Sequence, residues 1–163
     1  MHQGCVTTGR HVLIVAQRAR AFGLLSYDAL EHVLLTQELP VSAVRITDVV
    51  DAYIDRLTTG TAEEIVDLYA DGATVEDPIG APIRSNREDL VEFYAIITAM
   101  DRREATLKWV KIAGDTAVFE FTLVTGTSGM AFEISPVDIM VFNDEGKVVS
   151  MRAVWDPSDL KQL

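Results

Sequence analysis

The chain is poor in the residues on which most enzyme chemistry rests. Its 163 residues include one cysteine, Cys5, so no intrachain disulfide and no multi-cysteine metal site can form. All three histidines, His2, His11 and His32, fall within the first 32 residues. Chemistry after Leu35 must therefore proceed without imidazole or thiol, which argues against a Ser-His-Asp triad, a Cys-His pair or a His-rich zinc site there. Long apolar runs are missing too. No stretch approaches the roughly 20 residues needed to span a bilayer, and the run Val12 to Ala16 is cut short by Arg18 and Arg20, unlike a signal peptide. The expectation is a cytoplasmic protein with no membrane insertion. Cationic surface is also scarce. The net charge is −11, and residues 1–45 carry four basic and three acidic groups, so the acidic excess lies downstream. An acidic domain repels phosphate backbones, and nucleic acid is not an expected partner.

What is present is a hydrophobic content of 48%, ordinary for a folded domain, in a chain long enough for one sizeable core. Residues 1–41 differ from the rest: they hold all the histidine and cysteine and end near Glu38-Leu39-Pro40. They read as an N-terminal extension of unknown role, with 42–163 as the domain. Ile46, Val49, Val50, Tyr53, Ile54 and Leu57 recur at spacings of three and four, which predicts a helix over 43–58. Thr61 and Glu64 have capping-box spacing for a second helix reaching about Ala70. Ser85 and Glu88 repeat the device for a third, with Leu90, Phe93, Tyr94 and Ile97 on its buried face. After Met100 the period changes to two. Strands are expected at Thr106–Ile112, Thr116–Val124, Met130–Phe142 and Val148–Trp155. Three helices followed by an antiparallel sheet make an α+β fold.

The carboxylates and phenols then become the candidates. On the expected strand 130–142, alternation places Asp138 on one face with Met130, Phe132, Ile134, Pro136, Met140 and Phe142. A carboxyl in such company is desolvated, stays protonated more readily and becomes a hydrogen-bond donor. Asp77 lies in Val75-Glu76-Asp77-Pro78-Ile79-Gly80, where Pro78 and Gly80 signal a turn. Tyr53, Tyr69 and Tyr94 all fall on expected apolar helix faces, so a phenol network can form.

The segment Leu68–Gly80 (LYADGATVEDPIG) resembles the signature of the bacterial Δ5-3-ketosteroid isomerases. Phe93-Tyr94, Ser135-Pro136-Val137-Asp138 and Gly146–Ala153 (GKVVSMRA) are similar to that family as well. The resemblance runs from about Val44 to Trp155, and Asp77 follows Tyr53 by 24 residues and precedes Asp138 by 61, in the family's register. It implies an NTF2-like, cone-shaped fold in which three helices pack on a curved sheet. It implies a steroid Δ-isomerase that needs no cofactor and no metal, acts on a small hydrophobic 3-ketosteroid and forms a homodimer. By the same resemblance Asp77 is the base, Tyr53 and Asp138 donate to the oxyanion, and Tyr69 and Tyr94 support Tyr53. Phe93 and Trp155 fall to the steroid pocket. A SnoaL-like polyketide cyclase and a non-catalytic hydrophobic-ligand-binding protein are the rival readings, and the pairing of Tyr53 with Asp138 favours the isomerase.

Overall fold

The computed structural model describes residues 41–163; the segment read as an extension lies outside them but for Val41. Helix α1 (Val41–Thr59) forms where the sequence predicts it and buries Ile46, Val50, Tyr53, Ile54 and Leu57. Helix α2 (Ala62–Val66) is capped as expected: the Glu64 amide donates to Thr61 Oγ1 at 3.2 Å, and the Thr61 amide donates to Glu64 Oε2 at 2.8 Å.

Helix α2 is shorter than its apolar pattern suggests. It ends at Val66, and strand β1 (Tyr69–Glu76) begins three residues later. Leu68 O accepts from Val148 N at 3.0 Å, so the backbone is taken into the sheet before a further helical turn can form. Tyr69 is therefore a strand residue, not a helix residue. Because both Leu68 and Tyr69 are buried, helical periodicity alone cannot detect the switch. Helix α3 (Arg87–Thr98) is capped by Asn86, not Ser85: Asn86 Oδ1 accepts from the Asp89 amide at 2.8 Å.

The remaining strands are β2 (Arg102–Ala113), β3 (Thr116–Thr127), β4 (Met130–Ile134), β5 (Val137–Phe142), β6 (Val148–Val154) and β7 (Lys161–Gln162). The order β1-β6-β5-β3-β4-β7, with β2 along β3, is antiparallel except for the parallel pair β1–β6. The expected single strand 130–142 is two strands that follow β3 in succession. Residues 130–134 pair with 123–127, and 137–141 pair with 116–120. The break falls at Ser135-Pro136, because proline has no N–H to give the ladder. The two halves also differ in burial: Asp138, Met140 and Phe142 are buried as alternation requires, whereas Met130 is 55% exposed.

Helices α1 and α3 lie over the concave, apolar side of this curved sheet. Tyr94, Phe119, Met140, Met151 and Val50 are completely enclosed there. Each such side chain contributes about 1.5–3 kcal/mol of burial free energy. Among the described residues no helix is long and apolar enough to cross a membrane.

Candidate active site

A cavity of about 240 Å³ opens between α1, α3 and the sheet. At one end stand Asp77, Tyr53, Tyr94, Asp138 and Trp155; Leu57, Phe93, Ile97, Phe121, Leu123 and Ile134 make apolar walls. Pro136, Thr125 and Leu160 complete the lining. Two further depressions, one beside Ala70–Ala73 and one beside Asn143–Lys147, lie on the surface, where Arg87 is already ion-paired with Asp67 at 2.6 Å.

Asp77 owes its position to the parallel pairing of β1 with β6. Glu76 lies in register with Arg152 and pairs with its Nε at 2.7 Å, while Glu76 Oε1 accepts from the Gly80 amide at 2.8 Å. Gly80 adopts φ +95, a left-handed conformation that a side chain would strain. The Ile79 amide donates to Ala153 O at 2.9 Å, and Val75 and Arg84 exchange backbone bonds of 2.9 and 3.0 Å. The loop is thus pinned on both sides, and its Asp77–Pro78 peptide is cis. Trp155 Nε1 donates to Asp77 Oδ1 at 2.5 Å. Arg84 stacks its guanidinium 4.3 Å from the Phe93 ring centre, and its Nη1 is buried without a hydrogen-bond partner. Burial raises the Asp77 pKa above its ordinary value; the Trp155 hydrogen bond and the Arg84 charge oppose that rise.

Asp138 is held differently. It sits in β5, opposite Phe119 on one side and Ala153 on the other, and is 1% exposed. Among the described residues it is the one buried charged or polar side chain besides the tyrosines. Its Oδ1 has no hydrogen-bond partner. Burial pushes its pKa well above the usual carboxylate range, the Asp77 charge adds to that, and a hydrogen bond with Tyr53 opposes it. A buried, unsatisfied oxygen costs about 1–3 kcal/mol. That is close to what one buried apolar neighbour contributes, so the fold can sustain it.

Tyr53 is buried on α1, with the rings of Phe119, Phe121 and Tyr94 edge-on at 6.1, 6.1 and 6.3 Å. Its phenol is raised well above its ordinary pKa by burial and then by Asp138 and Tyr69, against a hydrogen bond with Tyr94. Tyr94 Oη and Tyr69 Oη lie 2.5 Å apart. Both are likewise raised, chiefly by burial, so all three phenols keep their protons.

Every site residue expected from the sequence is therefore found in or behind this cavity. Tyr69 does not line it but reaches it through Tyr94, and Phe93 is a wall residue. Trp155 does more than line the pocket, since it binds Asp77 directly. Three residues escape the sequence pattern. Arg84 arrives through its bridge to Val75, and Leu160 through the pairing of β7 with β4; neither carries a periodic signal in the sequence. Thr125 continues the alternation Phe119, Phe121, Leu123 one step beyond the expected strand end, and longer counting would find it.

The arrangement offers a half-buried carboxyl, a second carboxyl whose burial favours its neutral form, a protonated phenol and an apolar enclosure. It can take a proton from a carbon acid and stabilise the oxyanion that results. Among the described residues no cluster of His, Cys, Asp or Glu could hold a metal ion.

Comparison with known proteins bears on the family and the fold. Residues 50–151 match the SnoaL-like domain family. The chain is 34% identical over 108 residues to the steroid Delta-isomerase of Nocardioides simplex, covering 66% of this chain and 87% of that protein. A solved structure of the epoxide hydrolase/cyclase-like enzyme SalBIII, studied for pyran ring formation in the polyether salinomycin, superposes with a TM-score of 0.69. That likeness is at 20% identity and covers 74% of this chain and 98% of the other, which carries the fold alone. With a mostly antiparallel curved sheet under packed helices, the fold is NTF2-like, and the chain belongs to the SnoaL-like domain family.

Proposed function

We propose that the protein is a steroid Δ-isomerase, converting 3-oxo-Δ5-steroids to 3-oxo-Δ4-steroids through a dienolate. The observation that carries this reading is the convergence of two carboxyls in opposite surroundings on one apolar cavity, with Tyr53 beside the buried one. The C4 proton of the substrate lies between a carbonyl and a double bond and is acidic for a carbon acid. The Asp77 carboxylate removes it, and the resulting carboxylic acid returns it to C6 on the same face. Trp155 engages Oδ1, which leaves Oδ2 to carry the proton. Tyr53 and protonated Asp138 donate hydrogen bonds to the C3 oxygen as it becomes negative, and the free Oδ1 of Asp138 suits that task. Tyr94 and Tyr69 hold Tyr53 from behind. This division between an ionised and a neutral carboxyl is the one known for ketosteroid isomerases. The proton is conserved within the substrate, so the reaction calls for no redox partner.

The 34% identity to a steroid Delta-isomerase supports the same reading. A SnoaL-like polyketide cyclase is the second reading, kept open by the match to the SnoaL-like domain family. The two differ in what they do to a 3-oxo-Δ5-steroid. Purified protein should generate the conjugated enone, seen as a new ultraviolet absorbance; no enone formation at high protein concentration would remove the isomerase. A homodimer through the outer face of the sheet belongs to this proposal. Trp109 is 39% exposed there, and Val137, Ile139 and Val141 are only partly covered. Sedimentation velocity should give twice the chain mass.

A further inference from the structure

Strand β3 forms the floor of the cavity, and its inward side chains run Phe119, Phe121, Leu123, Thr125. Phe119 lies in register with Asp138, and Phe121 packs against Tyr53. Inward residues repeat every second position, so at about 3.3–3.4 Å per residue Thr125 lies roughly 13 Å along the strand from Phe121. That is the reach of a fused four-ring skeleton whose oxygen sits between Tyr53 and Asp138. Everything lining the cavity between those ends is apolar, and Thr125 is the one polar side chain at the far end.

Its hydroxyl is also unlike the other threonine hydroxyls of the strand. Thr116 donates to Asp115 at 2.8 Å, Thr122 pairs with Ser135 at 3.0 Å, and Thr127 donates to Asp101 at 3.0 Å. Thr125 makes no side-chain hydrogen bond with any described residue, although it is half-buried. A Cβ at the neighbouring Gly126 would come within 2.6 Å of Met130 O, so the close approach of β3 and β4 next to Thr125 requires glycine there. An unpartnered hydroxyl at the end of an apolar trough is a point of recognition, because a donor or acceptor placed there replaces water without loss.

We propose that Thr125 forms a distal polar subsite that hydrogen-bonds an oxygen at the end of the substrate remote from the reacting ketone. The preferred substrates are then flat apolar ketones with a hydroxyl or carbonyl at that far end, which for a steroid means on the five-membered ring. The inference relies on the isomerase reading only for which group occupies the Tyr53–Asp138 end.

The test is a binding measurement that needs no turnover. Two phenolic steroids, estradiol and its 17-deoxy counterpart, are titrated into wild type, Thr125→Val and Thr125→Ser by calorimetry. Valine keeps the branched shape that suits the strand and removes only the hydroxyl. Wild type should favour estradiol about three- to tenfold, the value of one hydrogen bond. Thr125→Val should bring that ratio to about one while leaving the affinity for the 17-deoxy compound unchanged, and Thr125→Ser should keep the preference. An unchanged ratio in Thr125→Val, equal binding of both compounds by wild type, or binding of neither would overturn the subsite. Loss of the ratio in a protein that forms no enone from a 3-oxo-Δ5-steroid would sink the isomerase and leave the subsite standing.

Discussion

The loop after β1 and the middle of β5 each bring one aspartate to the same cavity, and they treat it in opposite ways. The loop holds Asp77 partly buried, with an indole N–H on one oxygen and the Arg84 cation nearby. The strand holds Asp138 fully enclosed, with one oxygen unpartnered and a negative neighbour. Asp77 has two neighbours that favour a carboxylate, Trp155 and Arg84; Asp138 has one, the Tyr53 hydrogen bond, set against full burial and the Asp77 charge. Two identical side chains thereby acquire different tendencies to ionise, which the proposed mechanism uses as base and acid, and the difference lies in surroundings alone.

Erasing the base should have the largest effect. Asp77→Asn keeps shape and polarity but cannot accept the proton, so isomerisation should fall by about 10²–10⁴-fold. Estradiol binding should persist, and near-normal turnover would remove Asp77 from the reaction. Next come the donors. Asp138→Ala or Tyr53→Phe each removes one hydrogen bond to the developing oxyanion, and each should lower kcat by about 10²–10³-fold. Asp138→Asn still donates and should lose markedly less. The double variant should fall short of the product of the single losses, since both groups serve one oxygen. Equal activity of Asp138→Ala and wild type would end the donor role.

Smaller effects sharpen the contrast. With Asp77 as the proposed base, the acid limb of kcat/KM should report its ionisation in the free enzyme, and the Trp155 hydrogen bond and the Arg84 charge both hold that pKa down. Trp155→Phe and Arg84→Met should therefore move the limb to higher pH, Trp155→Phe by more, and Arg84→Lys should restore most of the Arg84 shift. A limb that stays in place would mean that neither group acts on Asp77. The smallest effect is on stability. Asp138 has a folded pKa raised above its unfolded value, so it adds most to stability below about pH 3.9, the ordinary aspartate pKa, and that contribution fades as pH rises through the folded pKa. Asp138→Asn does not titrate. Its melting temperature should rise relative to wild type as pH increases from 4, and then level off. A difference independent of pH would show that Asp138 is not held neutral.

Much of this contrast is legible in the amino-acid sequence. Alternation alone singles out Asp138, because Met140 and Phe142 follow it on the buried face, and that local pattern survives the break at Pro136. Helical spacing places Tyr53 and Tyr94 inward. For Tyr69 the same spacing gives the right burial but the wrong element, since Leu68 and Tyr69 suit either helix or strand. Asp77 is visible only through resemblance: a turn motif has no period, and its surroundings are assembled from Trp155 and Arg84. Those contacts depend on β1, whose pairing with β6 is non-local and leaves no mark in either segment alone.

That parallel pairing also bears on how the protein reaches its native state. Residues 74–76 find 150–152 across most of the domain, a closure whose entropic cost is met only when the intervening strands are in place. Tyr53 and Asp138 lie 85 residues apart as well, so the site gathers from three distant stretches of the chain. The carboxyl of Asp77 reaches those two residues through the edge of the sheet, where β1 lies along β6. The reactive geometry is thus a property of the completed sheet, and a chain without that sheet carries all of the site's chemical groups without possessing the site.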